Sequence, residues 1–318
     1  MDATVAILGY GHQGRAQALN LRDSGARVLI GARPGGAGAT RAIADGFAPL
    51  SLAAAAAAAA DGYVASLLPD ELLPDLMARE IAPALAPRAA VVLAHGFAAH
   101  YGGLAVPPAR DLLLVAPAAP GAVLRTEYEA GRGVPTYIAV IAAGGDPGPA
   151  TARARAYAEA IGAGQPGGTI LETDLASETE VDLFGEQAVL VGGVSELVEA
   201  AFATLVAAGY DEKISYLEVV HQLKHLVDVL HEVGPDGLRD RISGTALYGA
   251  LTRGPRVIND VSRAALTTIL AEIRSGAFAA EWRAEGQAGN PRLATLREAA
   301  RARGLTAVRA RALPEPPR

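Results

Sequence analysis

Two pairs of side chains carry the first chemical signal. Asp182 and Glu186 stand four residues apart in the run Glu180 to Gln187, E-V-D-L-F-G-E-Q. On a helix that spacing sets both carboxylates on one face, about one turn apart. Like charges so placed destabilise a helix unless something offsets them. A hard cation such as Mg2+ does so, because it takes oxygen ligands. Further along, Glu218 and Gln222 repeat the spacing with one acid and one neutral amide. Glu218 and His221 also have the E-x-x-H spacing of carboxylate di-metal sites, but no second such motif accompanies them.

A second signal lies at the N-terminus. Thr4 to Leu8 is a short, partly β-branched apolar run, followed at once by Gly9-Tyr10-Gly11-His12-Gln13-Gly14 and then by a helical pattern through Ala16, Ala18, Leu19 and Leu21. This is G-x-G-x-x-G with a strand before it and a helix after it, the context that dinucleotide binding requires. Gly9 permits the tight turn, Gly11 the approach of backbone to a pyrophosphate, and Gly14 the close packing of helix on strand. The helix N-terminus offers free N–H groups and partial positive charge to the phosphates. The next strand, Ala26 to Gly31, ends in Ala32-Arg33-Pro34-Gly35-Gly36. No acid stands there to meet a ribose 2′-hydroxyl, and Arg33 is placed to meet a 2′-phosphate instead, which favours NADPH while leaving NADH as the alternative.

Composition narrows the partners. The chain of 318 residues is 51% hydrophobic and 19% charged, so it can bury a sizeable core over two domains. Its net charge of −6, without a basic run, argues against nucleic acid. The complete lack of cysteine removes disulfides, thiolate zinc sites and thiol catalysis together, and fits a cytoplasmic protein. No apolar run is read as long enough to span a bilayer and no signal peptide precedes the first strand, so no membrane is expected. The Arg-rich end (Arg297, Arg301, Arg303, Arg309, Arg311, with Pro314, Pro316 and Pro317) reads as a solvated tail.

The elements that must position these groups fall into two halves. Strand-like runs at 4–8, 26–31, 62–68, 89–94, 112–116, 135–141 and 169–172 alternate with helical patterns. That alternation predicts an α/β domain over residues 1–174 with a mostly parallel, doubly wound sheet. Leu67-Leu68-Pro69-Asp70 reads as strand end, loop and helix cap. From 175 to 318 the apolar residues keep helical spacing, which predicts an all-helical domain carrying the acid pairs. Gly234-Pro235-Asp236-Gly237 and Arg253-Gly254-Pro255 are its clearest breaks.

Several of these stretches together resemble one family. G-Y-G-x-Q-G at the start, L-L-P-D at 67–70, A-H-G-F at 94–97, V-A-P at 115–117, D-L-F-G-E-Q-A-V-L at 182–190 and G-P-R-V-I at 254–258 are similar to the short, class I form of ketol-acid reductoisomerase. The resemblance runs over essentially the whole chain. It implies a Rossmann-type NADPH domain followed by a knotted helical domain, Mg2+ between them, and a homodimer or higher oligomer in which a second subunit completes each site. The family rearranges acetolactate-type acids by alkyl migration and then reduces the product with hydride. Carried over, the resemblance makes Asp182, Glu186 and Glu218 metal ligands, His95 a histidine beside the metal, and Ser243 a substrate contact. It assigns the cofactor to Gly9, Tyr10, Gly11, His12, Gln13, Gly14, Arg33, Leu68, Pro69 and Asp70.

Three site positions depart from the family pattern, which has a lysine at Ala118, a glutamate at Gln222 and a glutamate at Leu247. In the loop after Arg33, Gly36 and Gly38 stand in place of serines. Losing one partner of a buried charge pair costs about 3–5 kcal/mol, whereas losing both removes the imbalance. The paired loss at 118 and 222 therefore reads as one altered site. Alkyl migration needs two substrate oxygens clamped at once, while hydride transfer needs one Lewis acid or proton donor. The resulting expectation is a reductase of C=O or C=N bonds, using one Mg2+ or none rather than two, with isomerisation weakened or lost. A genuine ketol-acid reductoisomerase is the alternative, and a non-catalytic NADPH-binding protein the second. Gln222 remains in the expected site as a neutral oxygen donor.

Overall fold

The computed structural model describes residues 3–313. Two compact units are present, Met1–Val181 and Asp182–Arg318. The first holds seven strands: β1 (Thr4–Leu8), β2 (Arg27–Gly31), β3 (Tyr63–Ser66), β4 (Ala90–Leu93), β5 (Leu112–Pro117), β6 (Thr136–Ala142) and β7 (Ile170–Glu172). Between them run α1 (His12–Asp23), α2 (Ala37–Ala44), α3 (Leu52–Ala58), α4 (Leu73–Leu76), α5 (Phe97–His100), α6 (Gly121–Glu129) and α7 (Pro147–Ala158). Strand order is β2-β1-β3-β4-β5-β6-β7, parallel except that β6 opposes β5. Each strand begins and ends within one or two residues of its sequence expectation.

The strands are apolar on both faces because helices cover both sides. Val5, Ala6, Ile7 and Leu8 of β1 are all fully buried, and so are Val91 and Val92 of β4. Each such side chain contributes about 1.5–3 kcal/mol on leaving water. The chain leaves β1 for β2 on one side and reaches β3 on the other, so strand order reverses around β1. In open α/β sheets ligands bind at such a switch point, beyond the C-terminal strand ends. The glycine turn follows β1 at that position.

Buried polar bonds fix α1, the helix whose N-terminus must face the ligand. Tyr157 Oη donates to Gln17 Oε1 at 2.9 Å, and Asn20 Nδ2 donates to the Ile161 carbonyl at 2.8 Å. In an interior that leaves no water to substitute, each bond locks one face of α1 in register. Burial also pushes the Tyr157 hydroxyl far above its usual range, so it stays a neutral donor.

The remaining helices are α8 (Leu175–Gly185), α9 (Gly192–Ala207), α10 (Glu212–Tyr216), α11 (Gln222–Asp240), α12 (Gly244–Val257), α13 (Asp260–Arg274), α14 (Ala277–Gln287), α15 (Pro291–Ala302) and α16 (Leu305–Ala312). Wide π turns at Glu186–Leu190 and Leu217–His221 join α8 to α9 and α10 to α11.

Four expectations change here. Helix α12 runs through Arg253-Gly254-Pro255 and ends at Val257, two residues beyond the proline, so Pro255 costs it one backbone bond near its end without breaking it earlier. The break at Gly234 does occur, with φ +73° ahead of Pro235. The Arg-rich end is not a tail: its five arginines lie on α15, on α16 and in the two-residue turn between them. Arg303 pairs with Glu196 and Glu199, Arg311 with Glu212, and Val308 is buried with Phe202 and Tyr216. Pro314, Pro316 and Pro317 lie outside the described residues. Asp70 is not the N-cap residue of α4, which begins at Leu73 with Leu72 in the cap position. Finally, the continuous helix Leu175–Ala207 is long and apolar enough by length and composition to cross a membrane. The ion pairs of Glu196 and Glu199 with Arg303 sit on that helix and argue for water or protein around it.

Candidate active site

The cofactor end of the site is built from three strand ends. Gly9 takes φ +95° and donates its N–H to the Gly31 carbonyl at 2.8 Å, while Leu67 donates to the Leu8 carbonyl at 2.8 Å. The ends of β1, β2 and β3 are thereby tied together under the turn. A Cβ on Gly9 would come within 2.5 Å of the Leu67 oxygen, and one on Gly14 would strike the Gly9 carbonyl. Only glycine fits either place. Gly11 is open to solvent on the side a pyrophosphate would approach. His12 and Gln13 begin α1; His12 is exposed, and Gln13 Nε2 donates to the Ala119 carbonyl at 2.8 Å. Leu68 packs beside Gly9, so the Leu68-Pro69-Asp70 loop starts next to the glycine turn.

Tyr10 turns the other way and is buried. Its hydroxyl donates to Asp45 Oδ2 at 2.9 Å, and burial together with that carboxylate raises its pKa well beyond the ordinary tyrosine value. Arg33 stands at the loop between β2 and α2, exposed and without a side-chain partner among the described residues. Its guanidinium is free to receive an anionic group.

The acid end begins with a residue that sequence reasoning missed. Glu178, on α8, is buried to 7% exposure. Its Oε1 lies 3.2 Å from His95 Nδ1, at the end of β4. Its Oε2 accepts the Gly96 N–H at 3.1 Å and the Thr179 hydroxyl at 3.2 Å. A carboxylate oxygen accepts, so this contact places the imidazole proton on Nδ1 and fixes the tautomer of the ring. The available clue was its spacing: Glu178, Asp182 and Glu186 recur every four residues, the first two on α8 and the third just beyond its end. A second pair, His100 Nε2 and Glu180 Oε1 at 3.3 Å, holds the opposite side of the same helix turn.

Both acid pairs abut a wide turn. Glu186 is the first residue of one π segment, and Glu218 lies within the other, directly before Gln222. Such bulges occur often at functional sites because they re-aim side chains. Gln222 Nε2 donates to Glu218 Oε2 at 2.7 Å, so the neutral partner organises the acid. The Glu186 side chain is exposed and has no partner among the described residues. Ser243 caps α12, its Oγ accepting the Ala246 N–H at 3.2 Å. Ala118 is exposed in the loop after β5, where its N–H donates to the Pro135 carbonyl at 2.8 Å. Among the described residues no three Asp, Glu or His side chains of the chain converge closely enough to hold a metal, so Asp182, Glu186 and Glu218 are not gathered into one cluster.

A glycine turn at the switch point of a parallel sheet, followed by a helical half bearing paired acids, defines a nicotinamide-dependent oxidoreductase. The model of the acetohydroxy acid isomeroreductase NADPH-binding domain matches residues 1–167, and that of the ketol-acid reductoisomerase C-terminal domain matches residues 175–312. The chain belongs to the ketol-acid reductoisomerase family. It is 45% identical over 296 residues to the NADP(+) ketol-acid reductoisomerase of Methanocaldococcus jannaschii, covering 93% of this chain and 88% of that one. The solved structure of an NADH-preferring ketol-acid reductoisomerase from an uncultured archaeon superposes with a TM-score of 0.91 at 36% identity, over 98% of this chain and 95% of the other. A semialdehyde dehydrogenase NAD-binding protein from Cupriavidus necator matches at TM-score 0.66 and 20% identity, over 86% and 99% of the two chains, a likeness of fold alone.

These relatives overturn the expectation of a reductase that has weakened or lost isomerisation. Identity of 45% across nearly the whole chain, with both family models matched, is the pattern of a ketol-acid reductoisomerase and carries no sign of divergence. The argument from Ala118 and Gln222 gave a few neutral positions too much weight. Gln222 keeps a direct bond to Glu218, so the second pair remains ordered without its second charge.

Proposed function

We propose that this enzyme is a ketol-acid reductoisomerase. It moves an alkyl group of a 2-acetolactate-type acid onto the neighbouring carbonyl carbon, then passes hydride from NADPH to the resulting 2-keto group. The product is a 2,3-dihydroxy acid. The observation that carries the reading is the presence of the Asp182–Glu186 pair, Glu218 and the part-buried His95–Glu178 pair in a chain so similar to a ketol-acid reductoisomerase.

The donor chemistry at Asp182, Glu186 and Glu218 fits Mg2+: all are oxygen ligands, and Glu186 has no cation of its own among the described residues. When bound, the ion supplies Lewis-acid polarisation of adjacent substrate oxygens. The protein's own groups do the rest. His95 accepts or returns a proton through the ring nitrogen not held by Glu178. Glu178 fixes its tautomer and stabilises the imidazolium. The Ser243 hydroxyl, already an acceptor at the helix cap, keeps its proton to donate to a substrate oxygen. Gln222 holds Glu218 in place.

For the cofactor, the free Arg33 supports NADPH over NADH, since a 2′-phosphate supplies the partner it lacks. For assembly, we place a homodimer with a shared site. Leu190, Val191 and Val261 are all more than 60% exposed on the helical half, and the acids do not converge within one chain. The same apolar surface, matched by a second copy, accounts for the membrane-like helix without a bilayer, which agrees with a cytoplasmic enzyme. Incubation with 2-acetolactate, NADPH and Mg2+, followed by mass identification of the product, tests the reading. A 2,3-dihydroxy acid is expected; unaltered 2-acetolactate overturns it.

A further inference from the structure

One carboxylate outside every motif joins the two halves of the dinucleotide site. Asp45 is the C-terminal cap of α2. Its Oδ2 accepts from Arg15 Nε at 2.7 Å and from the Tyr10 hydroxyl at 2.9 Å, and its Oδ1 accepts from Arg15 Nη2 at 2.8 Å. Its backbone carbonyl accepts from Arg22 Nη1 at 2.9 Å. Tyr10 belongs to the glycine turn, and Arg15 follows Gly14 on α1. A fork from arginine to carboxylate is the most geometrically demanding ion pair available to a protein. Here it is one side of a closed frame. Arg41, on α2, donates to the Tyr10 carbonyl at 2.8 Å, and Gly38 packs within 3.7 Å of Tyr10, counted from the position a Cβ would take. The Tyr10 and Phe47 rings meet edge to face at 5.9 Å, and Arg22 lies 5.2 Å over Phe47.

The frame matters because of what begins α2. Gly36 is its N-terminal cap, and the Gly36 N–H closes a turn onto the Arg33 carbonyl at 3.0 Å. Arg33 is therefore mounted on the front of α2, while the pyrophosphate-facing N–H groups are mounted on the glycine turn. The distance between those two platforms sets whether one dinucleotide reaches both. We propose that Asp45 is a positioning residue for the cofactor: by binding Arg15 and Tyr10 it fixes α2 against the glycine turn, and so fixes Arg33 at the span between a pyrophosphate and a 2′-phosphate. Asp45 touches neither cofactor nor substrate. This inference rests on the reading of Arg33 as the 2′-phosphate contact.

A residue that only stabilises the fold would weaken NADPH and NADH alike. A residue that sets the span weakens NADPH more, because only NADPH uses both platforms. The experiment titrates NADPH and NADH into the full-length enzyme by fluorescence, with thermal melts run in parallel, for wild type, Asp45→Asn, Arg15→Gln and Arg33→Ala. The expected result is that Arg33→Ala removes the preference for NADPH, and that Asp45→Asn and Arg15→Gln each lower the NADH-to-NADPH Kd ratio at least fivefold. The turnover number at saturating NADPH should fall less than twofold in Asp45→Asn. If Asp45→Asn does not fold, Arg15→Gln decides. If Arg33→Ala alters the ratio while both frame variants leave it unchanged, or raise both Kd values equally, the positioning role is wrong. If Arg33→Ala leaves the ratio unchanged, the Arg33 reading itself is wrong, and the inference falls with it.

Discussion

Glu178 is a buried carboxylate that serves both the half-buried His95 ring and the backbone beside it. Glu178 Oε1 meets His95 Nδ1 at 3.2 Å while Oε2 holds the N–H of Gly96 at 3.1 Å. The histidine and the peptide that follows it are gripped by a single side chain from α8. Replacing Glu178 by Gln keeps the shape but removes the charge that fixes the proton on Nδ1. Turnover should fall about 10²-fold or more, the range that a positioned acid or base supplies. The KM for NADPH should hold, since Glu178 is remote from the glycine turn in sequence and bonds to none of its residues. Steady-state kinetics with both substrates varied checks this; an unchanged turnover number would remove His95 from the chemistry.

The Glu218–Gln222 bond gives a prediction with a sign. Gln222→Glu places like charges at i and i+4, which costs about 0.2–0.5 kcal/mol in an exposed helix. The variant should melt slightly below wild type without Mg2+. It should also gain more than wild type when Mg2+ is added, because a cation offsets two charges rather than one. Melting curves with and without Mg2+ read both effects. Equal gains would argue that no ion reaches Glu218.

Gly14 offers a steric test. A methyl group there strikes the Gly9 carbonyl, inside the turn itself. Gly14→Ala should destabilise by about 1–3 kcal/mol, as overpacking does, and should weaken cofactor binding through the displaced turn. Gly25→Ala adds a comparison, because its Cβ meets open space and its strain is that of φ +83° alone. Chemical denaturation of both variants separates crowding from backbone strain.

Asp45 should leave a signature in the acid range. The hydrogen bonds from Arg15, ahead of that from Tyr10 and the charges of Arg15 and Arg22, hold its pKa below the ordinary carboxylate value. A group depressed in the folded state contributes stability that is fully present above its unfolded pKa of about 3.9 and is lost as pH falls through the folded value. Asp45→Asn should therefore differ most from wild type at neutral pH, begin to converge on it as pH falls below about 4, and meet it only below the folded pKa. Melting temperature against pH for the two proteins shows whether the curves close.

Exposed apolar residues on the helical half give an assembly prediction. Leu190→Asp and Val261→Asp each place a charge on surface that is 70% and 78% exposed in the single chain. If a second copy covers these residues, light scattering should show wild type at no less than twice the mass of one chain and the variants at a lower mass. Wild type running at one chain's mass would remove the shared site.

Much of this was legible beforehand because it follows from local rules. The glycine turn announced itself through Gly9, Gly11 and Gly14, and the seven strands through β-branched runs between turn residues. The Asp182–Glu186 pair was visible through helical period alone. What was hidden depends on contacts far apart in sequence. Glu178 looked like one more helical acid until His95 and Gly96 met it, and Asp45 lay in no motif at all. The arginines at 297–311 resembled a tail because their partners Glu196, Glu199 and Glu212 are about a hundred residues away. Loss of charge at Ala118 and Gln222 pointed away from isomerisation, but the bond by which Gln222 keeps Glu218 ordered is not visible in the residue types alone.

The most direct test of the central claim compares two substrates on one enzyme. With NADPH and Mg2+ present, turnover of 2-acetolactate is measured beside turnover of the pre-formed 3-hydroxy-2-keto acid. A ketol-acid reductoisomerase oxidises NADPH with both, at comparable rates, and yields the same 2,3-dihydroxy acid from each. Rapid use of the pre-formed keto acid with no reaction of 2-acetolactate would contradict the account.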